Sequence, residues 1–175
     1  MRIIAGEWKG HRIQAPPGRE VRPTTDRIRE AWMSALGGAM VDARVLDLFA
    51  GSGALGLETL SRGACEAVFV EKSRSALKAL RRNIQTLGAG DRTRVVGADV
   101  FSFLGRPAKV EFDLALADPP YGRGYARRLF EQMSRSPFAR ELWVEHHSKE
   151  TMPELPGLRQ RTYGDTTLSI WETPE

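Results

Sequence analysis

The tetrapeptide Asp118-Pro119-Pro120-Tyr121 follows the apolar run Phe112-Asp113-Leu114-Ala115-Leu116-Ala117 and joins a carboxylate, a rigid bend and an aromatic ring. Two consecutive prolines fix their own φ and hold the carboxylate and the ring in a set relation. An amine on a heterocyclic base is a weak nucleophile because its lone pair is conjugated with the ring. Asp118 and the Pro119 carbonyl are placed to accept the two amine hydrogens, which frees the lone pair and aims it at an electrophile. As positive charge develops on the nitrogen, such acceptors bind the transition state more tightly than the ground state. Asp118 or water takes the proton. Tyr121 offers a face for a base turned out of its stack, and Pro120 completes the bend. In isolation the same four residues also describe an ordinary turn after a strand. Their meaning depends on what stands beside them.

The segment Val45-Leu46-Asp47-Leu48-Phe49-Ala50-Gly51-Ser52-Gly53-Ala54-Leu55-Gly56 reads as an apolar strand running into a glycine-rich turn that opens a helix. Gly51 and Gly53 permit a sharp turn and close approach of a ligand at the carboxyl end of a strand. The match to GxGxxG says little by itself. A dinucleotide would seat its pyrophosphate on the helix N-terminus, where Asp47 would repel it. S-adenosylmethionine instead carries an ammonium, which suits a carboxylate near the loop. Glu71, ending the second apolar run, is placed to accept both ribose hydroxyls, and Asp99, ending the third, to accept from the adenine amino group. Each acid taken singly could be no more than a helix cap after a strand. Three on successive strand ends, with the tetrapeptide on a fourth, describe one crevice. The expected cofactor contacts are therefore Asp47, Ala50, Gly51, Ser52, Gly53, Glu71, Asp99 and Val100.

These residues require a parallel sheet with helical crossovers to bring them together. Strands are predicted over Arg44 to Phe49, Ala67 to Glu71, Arg94 to Val96, Phe112 to Ala117 and Leu142 to Glu145. Helices are predicted over Leu55 to Arg62 and Ser75 to Leu87, the second with Leu77, Leu80, Ile84 and Leu87 inward and Lys78, Arg81 and Arg82 in solvent. Tyr163-Gly164-Asp165-Thr166 marks the turn of a closing antiparallel hairpin within Leu158 to Glu172. At the start, Arg2 to Gly6 and His11 to Ala15 read as two short strands around Trp8-Lys9-Gly10. After Pro23, Thr24 or Thr25 caps a helix with Ile28, Ala31, Trp32, Ala35 and Leu36 on its buried face and Arg27 and Arg29 away from it.

A chain of 175 residues, 41% hydrophobic and 27% charged, suits one domain with a full core. No apolar run is long enough for a membrane span and no secretory leader is read at the start, so a cytoplasmic protein is expected. One cysteine, Cys65, excludes an internal disulfide, and a small buried residue is expected there. The three histidines lack zinc spacing, so no metal is expected, and His146-His147 reads as a strand end. The net charge is +4, and five basic against two acidic residues crowd into positions 1–22. A phosphate backbone is expected there, with Arg2, Lys9, Arg12, Arg22, Thr24, Arg27 and Arg29 as contacts. Arg123, Arg127 and Arg128 could steer phosphate toward the tetrapeptide or form a solvated helix face.

With Arg2-Ile3-Ile4-Ala5-Gly6, Lys9-Gly10, Arg22-Pro23-Thr24-Thr25-Asp26-Arg27-Ile28-Arg29-Glu30, the glycine loop, Asp118-Pro119-Pro120-Tyr121 and Tyr163-Gly164-Asp165-Thr166, the chain resembles, over nearly its whole length, the bacterial 16S rRNA guanine-N2 methyltransferases of the RsmD type. It departs from that pattern at His11, where arginine is usual, and at Ala31-Trp32-Met33-Ser34, where Ala-Leu-Phe-Asn is commoner. The resemblance implies transfer of a methyl group from S-adenosyl-L-methionine to a guanine N2 amine in 16S rRNA, within an assembling or assembled small subunit; a monomer is expected. It implies an α/β class I methyltransferase fold, Rossmann-like, with a seven-stranded mostly parallel sheet and a terminal antiparallel hairpin over residues 23–175. A short N-terminal β-hairpin extension over residues 1–22 precedes it. The competing readings are an adenine-N6 DNA methyltransferase, against which the lack of a target-recognition domain counts, and a nucleic-acid-binding module of the same fold without catalysis.

Overall fold

The computed structural model describes residues 1–18, 23–106 and 110–175. In chain order the elements are α1 (Pro23–Leu36), β1 (Arg44–Leu48), α2 (Ala54–Ser61), β2 (Glu66–Glu71), α3 (Arg74–Thr86), β3 (Thr93–Gly97), α4 (Val100–Leu104), β4 (Phe112–Ala117), α5 (Tyr125–Arg135), β5 (Ala139–His147), β6 (Arg159–Tyr163) and β7 (Thr166–Glu172). The seven strands form one sheet in the order β3-β2-β1-β4-β5-β7-β6. The first five pair in parallel, while β7 pairs antiparallel with both β5 and β6. The strand order reverses between β1 and β4, which opens a crevice at their carboxyl ends.

Successive residues of a strand face opposite sides, and both sides of this sheet are covered, so β1, β2 and β4 are almost wholly buried. Val45, Phe69, Leu114, Leu116 and Trp143 face one core, shared with Trp32 and Met33 of α1 and Leu57 of α2. Leu46, Val68, Ala115 and Val144 face the other, shared with Leu129, Phe130 and Met133 of α5. From residue 23 onward the predicted strands and helices are present with ends displaced by a residue or a few, and the closing hairpin turns at Gly164 as expected. α4 has no counterpart in the sequence reading, and α5 appears there only as a solvated helix face around Arg127 and Arg128, although Ala126, Leu129, Phe130 and Met133 follow helical spacing and are buried. Among the described residues no helix is long and apolar enough to cross a membrane.

Three expectations need correction. The N-terminal segment holds no strands, only a single antiparallel bridge between Arg2 and Arg12. The ladder stops because the next donors are engaged elsewhere: the N–H groups of Ile4 and Ala5 donate to the Glu58 carboxylate on α2 at 2.9 and 3.0 Å. The segment is docked, with Ile3, Trp8 and Ile13 buried in the first core. Gly6 lies at φ 86°, and a Cβ there would stand 1.8 Å from the Ser61 carbonyl oxygen, so only glycine admits this contact. Second, the buried face of α1 is rotated: Arg29, Trp32, Met33 and Leu36 are inside, while Ile28 and Ala35 sit at the margin. Third, Cys65 is exposed, because it follows the turn that leaves α2 rather than entering β2.

Candidate active site

Phe49, just beyond β1, adopts φ 56°, a left-handed conformation that costs a non-glycine residue on the order of 1 kcal/mol. The turn carries its ring into the crevice, stacked on Tyr125 at 5.5 Å between centroids and edge-on to Phe101 at 6.1 Å. Phe49, Val100, Pro120 and Tyr125 give a cleft of about 230 Å³ its apolar walls, and Glu71 and Asp99 supply its carboxylates. Glu71 Oε2 accepts from the Gly51 N–H at 2.8 Å, while Oε1 accepts from the N–H groups of Lys72 and Ser73, both at 2.8 Å. A carboxylate oxygen has two lone pairs, so the remaining capacity lies on Oε2. Asp99 caps α4, its Oδ1 accepting from the Ser102 N–H at 3.0 Å, with Oδ2 3.9 Å from Lys72 Nζ. Acceptors for hydroxyls and an amine beside an aromatic wall fit the adenosine half of S-adenosylmethionine.

Of the expected cofactor contacts, Glu71, Asp99 and Val100 line this cleft. Ala50, Gly51, Ser52 and Gly53 form the buried turn behind it. Asp47 is buried at 1% exposure, and its Oδ2 accepts from the Gly56 N–H at 2.9 Å. Burial pushes its carboxyl well above the ordinary aspartate range against the pull of that hydrogen bond, and the carboxylates of Asp118 and Glu71 add to the rise. Asp47 therefore ties the end of β1 to the first turn of α2 and is not among the residues that line the cleft. Gly53 also has an internal reason to be glycine: at φ 83° a Cβ would lie 2.4 Å from Leu80 Cδ1. Sequence reasoning missed Asn83, which is buried on α3. Its Nδ2 donates to the carbonyls of Ser52 and Gln14, both at 2.9 Å, and its Oδ1 accepts from the Gln14 N–H at 2.7 Å. One carboxamide thus joins the glycine turn to the N-terminal segment.

The tetrapeptide adjoins the cleft through Pro120. Asp118 is half-buried, Pro119 buried, and Tyr121 exposed over 42% of its surface. Ala117 of β4 is in register with Val144 of β5, so Asp118 and Glu145 are the next residues on adjacent strands. By alternation they follow Leu116 and Trp143 onto the sheet face that also carries Asp47. The Tyr121 hydroxyl donates to Glu145 Oε1 at 2.8 Å and lies 3.3 Å from Thr166 Oγ1. Burial, with Glu145 and Asp118 nearby, raises the phenol above its usual range, so it keeps its proton at neutral pH. Glu150 closes the loop from the far side, accepting from the N–H groups of Gly122 at 3.2 Å and His147 at 2.8 Å. Glu145 and Glu150 carry no motif signal, because each acts on a turn more than twenty residues away.

The basic candidates divide. Arg2, Lys9, Arg12 and Arg27 are exposed, with Arg2 Nη1 donating to the Gly10 carbonyl at 2.9 Å. Arg22 and the side chain of Thr24 lie outside the described residues. Arg29 contradicts its reading as a surface contact: it is 4% exposed and donates to the Arg2 carbonyl at 2.6 Å and to Asp26 at 3.2 Å. Burial lowers its pKa, opposed by the carboxylates of Glu58 and Asp26. Of the second basic group, Arg127 pairs with Glu131 and Arg128 lies 3.8 Å over the Phe101 ring, so both brace the helix face and the aromatic wall. Among the described residues no cluster of side chains suits a metal ion.

The family model described as "Conserved hypothetical protein 95" matches residues 1–172. A relative from Escherichia coli (strain K12), "Ribosomal RNA small subunit methyltransferase D", is 37% identical over 179 aligned positions, covering 98% of this chain and 89% of the relative. The chain belongs to the ribosomal RNA small subunit methyltransferase D family. A second relative, the "Putative rRNA methyltransferase YlbH" of Bacillus subtilis, is 34% identical, with 98% of both chains covered. The solved "Putative methyltransferase yhhF from Escherichia coli" superposes with a TM-score of 0.86 at 36% identity, covering 99% of this chain and 97% of that one. The methyltransferase D family has the class I fold and uses S-adenosylmethionine, and the sheet order and cleft described above are those of that fold.

Proposed function

We propose that this chain transfers the methyl group of S-adenosylmethionine to the exocyclic N2 amine of a guanine in small-subunit (16S) ribosomal RNA. The observation that carries the reading is the juncture at Pro120. On one side lies the cleft with Glu71 and Asp99, on the other the Asp118 carboxylate and the Tyr121 ring. The bound cofactor supplies an electrophilic methyl on a sulfonium. Glu71 and Asp99 hold its polar groups, and Phe49 and Tyr125 give it an apolar wall. Asp118 and the Pro119 carbonyl accept the hydrogens of the amine, orient its lone pair and favour the charge that grows there. Tyr121 supports the base plane. The names borne by the E. coli and B. subtilis relatives support ribosomal RNA as the acceptor.

On this reading residues 1–22 carry RNA contacts and 23–175 the methyltransferase proper, with Arg2, Lys9, Arg12 and Arg27 meeting phosphates and Arg22 and Thr24 completing that surface. The protein works as a cytoplasmic monomer on RNA already held in an assembling or assembled subunit. The test is incubation with labelled S-adenosylmethionine and, separately, naked 16S rRNA, small subunits and duplex DNA, followed by mass spectrometry of the labelled nucleoside. N2-methylguanosine from the subunit or its RNA is expected, and Asp118→Ala should lower the rate about 10²–10³-fold with cofactor affinity kept within a few fold. Label in DNA alone would overturn the assignment.

A further inference from the structure

We propose that Glu145 selects the base: its carboxylate accepts the N1–H of guanine beside the amine held at Asp118. This rests on the guanine reading above and names the group that distinguishes guanine from adenine.

Three observations carry it. Glu145 leaves β5 next to Asp118 on β4 and on the same face of the sheet. Its Oε1 is held by the Tyr121 hydroxyl at 2.8 Å, which fixes the carboxylate at the edge of the ring on which a base would lie. No hydrogen bond reaches Oε2 among the described residues, and it is not among their buried unpartnered atoms. On its Watson–Crick edge guanine presents two adjacent donors, N1–H and the N2 amine. Adenine presents a lone pair at N1, which a carboxylate repels. Two acceptors from neighbouring strand ends therefore match guanine, and the one that meets N1 decides between the bases.

The role is tested with small subunits reconstituted from 16S rRNA in which the nucleotide labelled by the wild-type protein is replaced by guanosine or by 2,6-diaminopurine riboside. The analogue keeps the N2 amine and has a lone pair where guanine has N1–H. The wild-type protein should prefer guanosine about 10- to 100-fold, the span set by one hydrogen bond to a charged group. Glu145→Gln, whose amide can donate to the analogue's N1, should bring the two rates within a few fold. Glu145→Asp withdraws the acceptor by one methylene and should also narrow the preference, and it carries the test should the glutamine variant fail to fold. A preference equal to the wild type's in a variant that binds cofactor normally would overturn the proposal. Absence of label from the guanosine subunits with wild-type protein would instead overturn the underlying reading.

Discussion

Asp47 shows how the position of a residue can be read from the sequence while its surroundings cannot. Its position at the end of an apolar strand and before a glycine turn was legible. Its direction was not, because strand alternation turned the carboxylate into the core above Gly56. Since burial raises the Asp47 carboxyl, folding takes up a proton. The resulting stability is complete below the ordinary aspartate value of about 3.9 and is lost as pH rises through the raised value. Asp47→Asn keeps an acceptor for the Gly56 N–H and has no charge to bury. Its melting temperature should exceed that of the wild type near neutral pH, with the difference shrinking as the pH falls toward 4. Calorimetric scans across that range check it, and a difference that grows toward acid would refute the account. Tyr121 and Asp118, by contrast, were readable as a pair, because two prolines leave the chain little choice between them.

Among the elements, α2 was predicted as a short helix but not as the anchor of the N-terminal segment. Its Glu58 is fully buried, takes the N–H groups of Ile4 and Ala5, and is paired with Arg62 at 2.9 Å. Nothing in a single sequence links position 58 to position 4, whereas hydrophobic periodicity links 77 to 80 and 84. Local signals thus recovered β1 to β5, α3 and the closing hairpin. Contacts between distant segments, such as Glu58 with Ile4 or Glu150 with Gly122, were invisible. Even α5, locally periodic, was hidden behind its basic residues. Glu58→Ala strands two half-buried N–H donors, breaks the pair with Arg62 and leaves Arg29 opposed by Asp26 alone, so it should cost about 3–5 kcal/mol. Urea denaturation followed by tryptophan fluorescence measures this, since Trp8 belongs to the affected segment.

At the scale of the whole molecule, the charge distribution was legible and partly misassigned. Arg2, Lys9, Arg12 and Arg27 lie on the surface as an RNA contact requires, while Arg29 serves the interior. Replacing Lys9 and Arg12 with alanine should flatten the dependence of log affinity on log salt by about 1 per residue, so the affinity loss is largest at low salt. Filter binding to 16S rRNA over a salt series decides it, and an unchanged slope would return both to ordinary surface charge. The Arg29 replacement belongs in the same series, where it should change stability and not the slope. The Asn83 carboxamide has a wider consequence. It holds Gln14 with one end and both Gln14 and Ser52 with the other, so the segment proposed to meet RNA and the turn behind the methyl donor share a single fastening. Free energies of binding are reciprocal: whatever factor RNA adds to the hold on the donor, the donor adds to the hold on RNA. Asn83→Ala is therefore expected to loosen both attachments together, and the affinities for donor and for RNA, each measured with and without the other, check it.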